Sequence, residues 1–366
     1  MLGVRSRNGF GALMDRRVVR LPVRLKRTIS ALALSYPLVL LVSAGLLRFV
    51  GEGHWTTNVG LYLPRLGFAL PLPLCVSWLA IWGPRKWLWS QAAAVLVLVF
   101  PLMGLTVSWP SARRDGAPSV RVLSHNVNGP YVGFDVSART IAAYSPDIVF
   151  AQEAISGPSG LAKALGPRYP FTHVAGGEFL VASRFPIAET TEFDPVPGND
   201  RPHSPRFVRY LIDTPLGRIA FYNVHPRSPR WVFQAMRGQG LKREILSGRI
   251  FSGGSAGDLS YNSGLREDQA RAIAAHASRE KHPVVIAGDT NLPGLSPVFA
   301  RHFSGYRDGF SAAGQGLGYT FPARWPWMRI DRILASKELE FLSFEVGCKN
   351  ETSDHLCVVS DLQHSR

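Results

Sequence analysis

The sequence predicts an α/β domain preceded by a segment of membrane-spanning helices. Three long apolar stretches fall within the first third of the 366 residues. From Ser119 onward, short β-rich runs alternate with turn residues and amphipathic segments, which is typical of an α/β domain. A hydrophobic content of 46% excludes a disordered chain, and three cysteines are too few for a disulfide-rich secreted scaffold.

The apolar stretches are long enough to cross a bilayer. They are Ile29–Leu47, Leu66–Trp82 and Trp87–Val107. A helix needs about 20 residues to cross the hydrocarbon core. None of the three contains Asp or Glu, and each is apolar on all sides, whereas a helix on a globular surface keeps a polar face. We therefore expect three transmembrane helices within a membrane domain at residues 29–108, rather than buried core helices.

Basic residues predict the orientation of this membrane domain. The net charge is +15, and most of the excess lies before residue 109. The tail at residues 1–28 is rich in Lys and Arg, and Arg85 and Lys86 follow the second stretch, whereas the loop Gly51–Gly60 has no basic residue. Because basic loops favour the cytoplasmic side, the N-terminus is expected in the cytoplasm. Three crossings then place the remainder outside it, in the periplasm if the protein is bacterial.

Residues 120–366 are predicted to form a single domain held close to the bilayer. The linker at residues 109–119 spans at most about 35 Å. Two helices are predicted, Val136–Tyr144 and Leu265–Arg279, and the glycine-rich Gly238–Gly264 is expected to be an exposed loop. The predicted strands are Val120–Asn126, Ile148–Ala151, Phe179–Ser183, Phe207–Asp213, Arg218–Val224, Val284–Ala287, Arg329–Ala335 and Leu356–Leu362.

Polar residues at the ends of these strands form the candidate site. Taken singly, each has an ordinary explanation as a solvated carboxylate, a turn former or a surface histidine. Strand ends converge on one edge of a sheet, where open α/β structures bind ligands, so their recurrence indicates a common site. The set comprises Asn126, Glu153, His225, Asp289, Asn291, Asp331, Asp354 and His355.

The motifs around these residues resemble the endonuclease/exonuclease/phosphatase superfamily, which includes deoxyribonuclease I. They occur in the order SHNVNG, PDIVFAQE, GG-x5-SR-x-P at Gly176–Pro186, NVHP, AGDTN, RIDRILAS and SDHLCV. The resemblance extends from about Val120 to Leu362 and implies a four-layer α/β sandwich with two central mixed sheets. It also implies hydrolysis of phosphate esters with a divalent cation, Mg²⁺ or Mn²⁺.

Residue chemistry and the resemblance together suggest a role for each group. A hard cation prefers carboxylate oxygens, which makes Glu153 the first candidate metal ligand, with Asn126 beside it and Asp354 within reach. The resemblance implies that Asn291 and His225 contact the substrate phosphate, and that Asp289 positions or deprotonates the attacking water.

The two histidines are expected to flank the phosphate. His225 and His355 would act as acid or electrostatic stabiliser and as base, with Asp331 orienting His355. Glu178 is the one nearby candidate for orienting His225. The sequence leaves open which group takes the proton from water.

Two questions stay open from the sequence alone. Cys348 and Cys357 are either a disulfide or two free thiols. The chain is either a membrane-anchored phosphoesterase or a catalytically silent relative that binds phospholipid or protein, and the complete set of polar positions favours the enzyme. The expected partners are a phosphate-ester substrate and the lipid bilayer, and no protein partner can be inferred. A transporter is disfavoured because the apolar stretches lack interior charges.

Overall fold

The computed structural model describes residues 21–128, 133–154, 158–198, 200–230, 232–233, 254–349 and 353–366. Most of the predicted cytoplasmic tail, and residues 238–253 of the predicted glycine-rich loop, lie outside the described residues. The rest of that predicted loop is helical instead, because a helix spans Gly254–Ala277 and includes the remaining glycines of the predicted loop.

Four apolar helices form the N-terminal part of the described chain. They are α1 (Val23–Phe49), α2 (Trp55–Tyr62), α3 (Pro71–Trp82) and α4 (Leu88–Val97). Two segments are long and apolar enough to cross a membrane, Val23–Phe49 and Arg65–Trp82. Large apolar side chains are exposed on both, with Leu32 64% and Leu74 74% accessible.

The prediction of a third membrane-spanning helix over Trp87–Val107 is wrong in length. Helix α4 has ten residues and continues only as a five-residue π-helical turn, Leu98–Leu102. Pro101 lies inside this turn and has no amide N–H to donate, and Gly104 adopts a positive φ of 76°. The chain then forms the short strand β1 (Thr106–Val107), so the helical part is shorter than a bilayer core requires.

Two six-stranded mixed sheets make up the rest of the protein. The first has the order β13-β14-β2-β3-β5-β4, with β2 (Val120–Asn126), β3 (Ile148–Gln152), β4 (Phe171–Ala175), β5 (Phe179–Ser183), β13 (Leu339–Gly347) and β14 (Cys357–His364). The second has the order β10-β12-β9-β8-β7-β6, with β6 (Ile187–Glu192), β7 (Phe207–Thr214), β8 (Gly217–Val224), β9 (Val284–Asp289), β10 (Arg307–Asp308) and β12 (Asp331–Ala335). Strand β1 pairs separately with β11 (Gln315–Gly316).

The layers confirm the predicted sandwich. The largest apolar cluster lies between the two sheets and joins residues such as Phe150 of β3 to Tyr210 and Phe221 of the other sheet. Helices α5 (Phe134–Ala143) and α6 (Pro158–Leu165) cover the outer face of the first sheet. Helices α7 (Gly254–Ala277) and α8 (Pro297–Phe303) cover the outer face of the second sheet. Helix α9 (Gly309–Ala313) packs beside β12 and β13.

Strand direction brings the candidate residues to one edge. Strands β2 and β3 are parallel, and Asn126 lies opposite Gln152 where both end. In the second sheet, β8 and β9 are also parallel, and Asp331 at the start of β12 pairs with Asp289 at the end of β9. Because all these ends face the same way, side chains that are far apart in sequence meet above the gap between the sheets.

The segment between α4 and β2 lies against the domain. The amide of Ser111 donates to the Phe341 carbonyl at 3.3 Å, and the Gln363 side chain donates to the Ala112 carbonyl at 3.2 Å. Cys348 and Cys357 form a disulfide across the pair β13 and β14, which answers the question left open by the sequence.

An ion pair within the first sheet predicts a pH-dependent stability. Arg121 donates to both carboxylate oxygens of Asp361 at 2.8 Å, and the Asp361 side chain is 10% exposed. Burial raises the pKa of Asp361, but the hydrogen bonds and charge of Arg121 outweigh it and hold that pKa below its usual value.

Replacing Asp361 with Asn is therefore expected to lower the free energy of unfolding by about 1–3 kcal/mol near neutral pH. The folded-state pKa is depressed, so the contribution is complete above the unfolded-state pKa and is lost as the pH falls through the folded-state value. Denaturant unfolding of the full chain in detergent at neutral and at acidic pH would measure this. Asp213→Asn, which breaks an exposed pair with Arg218, is the matched control. Equal losses in both variants would contradict the prediction.

Candidate active site

Glu153 and Asn126 stand where β3 and β2 end. Asn126 donates from Nδ2 to Glu153 Oε1 at 2.9 Å and to Asp289 Oδ2 at 3.3 Å, and thereby links the two sheets. Its Oδ1 accepts from the amide of Asn128 at 3.0 Å. Asn126 thus presents its nitrogen to the two carboxylates, and its predicted role as a metal ligand stays a prediction.

The backbone at Glu153 is in the left-handed region, with φ of 54°. A residue with a Cβ adopts this conformation at a cost of about 1–2 kcal/mol, and such strain is concentrated at functional sites. The turn directs the Glu153 carboxylate away from the sheet, where its side chain is 21% exposed. Asn291, two residues after β9, has φ of 51° for a similar turn.

Asp289 is held by its neighbours at the end of β9. Its Oδ1 accepts from the Asn291 amide at 2.8 Å, and its Oδ2 accepts from Asn291 Nδ2 at 3.1 Å. The residue before it, Gly288, lies so close to β8 that a Cβ would come within 2.0 Å of the Val224 carbonyl oxygen. Only glycine allows this approach, which brings Asp289 next to His225.

His225 follows β8 and lies among three carboxylates. Its Nε2 is 3.4 Å from Glu153 Oε1 and 3.7 Å from Asp289 Oδ2, and its Nδ1 is 3.2 Å from Glu178 Oε2. Glu178 is therefore placed as expected for the residue that orients His225. Arg206, which the sequence analysis did not identify, donates to the same Glu178 oxygen at 3.0 Å and to the His225 carbonyl at 2.6 Å.

His355 and Asp331 form a second acid–imidazole pair. The His355 Nδ1 lies 2.9 and 3.1 Å from the two Asp331 oxygens, and its Nε2 lies 3.8 Å from Asp289 Oδ2. Both residues are buried. The Phe321 ring packs against the imidazole with centroids 4.7 Å apart, and the His355 amide donates to Ser353 Oγ. The Nε2 atoms of both histidines thus lie near the same oxygen of Asp289, Oδ2.

Burial and charge shift the pKa values of these groups in different directions. Burial disfavours the imidazolium form, but neighbouring carboxylates prevail and raise the pKa of His225 to about 9 and that of His355 to about 10. Burial also disfavours the Glu153 carboxylate, but His225 and Asn126 lower its pKa to about 2. Burial raises the pKa of Asp289. The carboxylates thus favour the charged form of both rings, while the Arg206 guanidinium, 2.7 Å from His225 Nδ1, opposes it at His225.

Asp354 is at the site but has a different partner. Its Oδ2 is bound by the guanidinium of Arg230, a contact that the sequence analysis did not anticipate. The two residues are 124 positions apart, and no motif connects them. As placed here, Asp354 is committed to Arg230, and its predicted contact with a metal stays a prediction.

The donor set at this edge fits a hard divalent cation. Glu153 and Asp289 direct oxygens toward the same Asn126 amide, and neither cysteine sulfur nor a cluster of free imidazoles accompanies them. Asp289, Asp331 and His355 also lie within 4.8 Å of one another. Asp331, however, directs both oxygens at His355 Nδ1, so its negative charge is already balanced by the His355 ring. Glu153, whose carboxylate is partly exposed, is the better-placed ligand.

A cavity of about 630 Å³ opens onto these residues. Glu153, Asp289 and His355 line one end of it, while the rest of the wall is largely apolar and includes residues of α2. Tyr62 of α2 donates from its hydroxyl to the backbone carbonyl of Asn291 at 3.1 Å. No sequence signal points to Tyr62, because it lies in the predicted membrane domain, 229 residues before its partner.

A buried histidine supports the site from below. His125 is fully buried in β2 with Nε2 3.3 Å from the His355 carbonyl, and burial lowers its pKa to about 4. His125 belongs to the SHNVNG run, but nothing in that run indicated a buried position for its side chain. Nearby, Gln152 donates to Asn223 Oδ1 at 2.7 Å, and Asn223 donates to the Ala151 carbonyl at 3.2 Å, so polar side chains bridge the two sheets beneath the site.

Comparison with known proteins adds a family match. A family model described as the endonuclease/exonuclease/phosphatase family matches residues 123–355, which spans every candidate site residue. No curated protein matches the chain.

Solved structures with similar folds cover about two thirds of the chain. An endonuclease/exonuclease/phosphatase from Bacteroides vulgatus is 15% identical, with a TM-score of 0.51 over 68% of this chain and 100% of that one. One from Beutenbergia cavernae is 18% identical (TM-score 0.48; 68% and 72% covered), and a mannosyl-6-phosphatase of Bacteroides thetaiotaomicron is 16% identical (TM-score 0.49; 66% and 99% covered). The first of these likenesses bears on the fold alone.

Proposed function

Because the chain belongs to the endonuclease/exonuclease/phosphatase family, we propose that it is a membrane-anchored phosphoesterase that depends on a divalent cation. The observation that carries this proposal is the meeting of two acid–imidazole pairs, His225–Glu178 and His355–Asp331, at the carboxylate of Asp289. Silent relatives would be expected to lack part of such a set, and every predicted position is filled here.

The proposed reaction is the hydrolysis of a phosphate ester. Water attacks phosphorus, the bond from phosphorus to the ester oxygen breaks, and that oxygen leaves with a proton from one of the two imidazolium rings. Asp289, whose pKa is raised by burial, accepts the proton from water, and the other ring stabilises charge on the phosphoryl oxygens. Mg²⁺ or Mn²⁺, held by Glu153, would neutralise further charge there.

The helices before the domain are proposed to anchor it in a bilayer, with the domain on the non-cytoplasmic side. Exposed apolar side chains on α1 and on Arg65–Trp82 support the anchor, since core helices of soluble proteins bury such groups. The basic tail before α1 is expected in the cytoplasm. The connection between the two candidate spans contacts the catalytic domain, since Ser296 donates to Glu52 and Asn58 donates to Ser263, so a crossing by α1 would put this connection and the domain together on the non-cytoplasmic side. The disulfide between Cys348 and Cys357 is in keeping with an oxidising compartment such as the periplasm.

Removal of divalent cations is expected to abolish hydrolysis. The full chain in detergent would be assayed with an aryl phosphodiester and an aryl phosphomonoester, before and after treatment with EDTA. We expect activity with Mg²⁺ or Mn²⁺, a loss of at least about 100-fold with EDTA, and recovery when the metal is restored. Full activity in EDTA would contradict metal dependence. Binding of phosphate esters without any turnover would favour the silent binding protein instead.

A further inference from the structure

The cavity at the active site changes in character from one end to the other. Glu153, Asp289 and His355 line its polar end. Much of the remaining lining is built from apolar side chains of two segments that are remote in sequence, and it begins beside His355, where the Phe321 ring packs. These side chains are Val59, Tyr62 and Leu63 from the α2 region and Phe321, Trp327 and Met328 from the loop before β12.

This apolar wall is continuous with the apolar helices. One cluster of buried side chains begins with Leu40 and Ala44 of α1, includes Leu61 and Tyr62 of α2, and ends at Met328 next to the catalytic residues. A shared apolar core therefore joins the proposed membrane anchor to the wall of the active-site cavity. An enzyme that acts on a water-soluble substrate would not require such a connection.

The wall is also fixed in position relative to the catalytic groups. Trp327 donates from its indole nitrogen to the Tyr62 carbonyl at 3.1 Å, and the Tyr62 hydroxyl donates to the Asn291 carbonyl. One turn earlier in α2, Asn58 donates to Ser263 of α7 at 2.7 Å. Helix α2 thus belongs structurally to the catalytic domain as well as to the apolar helices.

Exposure along the wall indicates where a ligand could lie. Leu63 lines the cavity and is 53% accessible, immediately after the end of α2. The only lysine or arginine that lines the cavity, among the described residues, is Arg230, and it is paired with Asp354. A polynucleotide needs cationic side chains to bind its successive phosphates, but along this wall it would meet apolar side chains instead. A hydrocarbon chain attached to a single phosphate would match both ends.

We propose that the substrate is a lipid phosphate ester drawn from the bilayer. Its phosphate occupies the polar end of the cavity, and the first part of its hydrocarbon chain lies against the wall formed by the α2 region and the Phe321–Met328 loop. This inference rests on the proposed phosphoesterase function and specifies its substrate. The bond broken is the phosphate ester bond, with water as the second reactant.

The test compares substrates that share a headgroup and differ in hydrocarbon. One pair is dioctanoyl phosphatidic acid with glycerol 3-phosphate, and a second is dioctanoyl phosphatidylglycerol with glycerophosphoglycerol, all assayed with the full chain in detergent and Mg²⁺. A single-stranded oligonucleotide represents the other substrate class. In at least one pair, kcat/KM is expected to be at least about 100-fold higher for the lipid, because apolar contacts add about tenfold or more per favourable group.

A variant of the wall makes the test specific. Leu63→Asn is expected to reduce the preference for lipid over its chainless partner by at least about tenfold. Leu66→Asn introduces the same polarity three residues later at a side chain that is 67% exposed and does not line the cavity, and it should leave the preference unchanged. Both sites are exposed, so neither change is expected to prevent folding.

The outcomes separate the two proposals. Metal-dependent hydrolysis of the chainless esters or of the oligonucleotide without a preference for lipid would overturn the lipid inference and leave the phosphoesterase intact. A lipid preference that Leu63→Asn and Leu66→Asn reduce equally would also overturn it, since the cavity wall would then not be its source. Failure to hydrolyse any of the substrates would count against the phosphoesterase function and the inference together.

Discussion

Replacing Glu153 with Gln is expected to lower kcat/KM for phosphate-ester hydrolysis by about 10³-fold without unfolding the protein. Glutamine keeps the size of the side chain and can still meet Asn126, but it removes the charge that a divalent cation requires. The native carboxylate is favoured strongly at this position, since His225 and Asn126 outweigh burial and lower its pKa. Because a depressed pKa means that the charged carboxylate also stabilises the fold, we expect a loss of catalysis and metal affinity together with a moderate loss of stability.

The measurement is steady-state hydrolysis of an aryl phosphodiester over a range of Mg²⁺ concentrations, with circular dichroism as a check on folding. Glu192→Gln at the end of β6 is the matched control, because Glu192 is exposed and far from the site. A Glu153→Gln protein with near-native kcat/KM at every Mg²⁺ concentration would remove Glu153 from the catalytic site.

Replacing His355 with Gln is expected to cost about 10²–10⁴-fold in kcat, the range associated with losing a general acid, base or charged stabiliser. The imidazole is buried between Asp331 and Asp289, and Phe321 packs against it, so the ring is held in one orientation. Glutamine can still hydrogen bond but carries no charge and cannot transfer a proton at neutral pH.

Asp331→Asn tests the same pair from the other side. Asn has the same shape, yet it no longer supports a charged ring at His355 Nδ1, so we expect a smaller loss that appears in kcat more than in KM. His282→Gln, at a partly exposed histidine before β9, serves as the control for histidine loss. If the His355→Gln and His282→Gln proteins turned over at similar rates, the assignment of His355 would be wrong.

Much of the catalytic architecture was predictable from local sequence patterns. Strands such as Phe179–Ser183 and Val120–Asn126 have the predicted bounds, because apolar β-rich runs between turn residues are strong local signals. The convergence of Glu153, His225 and Asp289 was also predictable, since parallel strands end at a common edge. These inferences depend on periodicity and on chain direction, both of which a sequence displays.

What could not be predicted depends on tertiary contacts. Arg206 beside Glu178, and Arg230 beside Asp354, follow no spacing rule, because loops bring them together. The burial of His125 depends on the layer that covers β2. The helix predicted over the third apolar stretch is too long because the hydropathy of the residues stays high beyond the point where the helix ends. It ends in the turn that contains Pro101, after which the chain continues into β1.

The position of β14 has a consequence for biosynthesis. This strand lies between β13 and β2, and His355 precedes it, so the first sheet lacks an interior member until the ribosome has passed residue 364. Pairing of β14 with β2 joins segments more than 200 residues apart, a long-range closure that folds slowly. A nascent or prematurely terminated chain would contain Glu153 and Asp289 but not the complete active site. The proposed hydrolysis would therefore begin only after β14 has been synthesised.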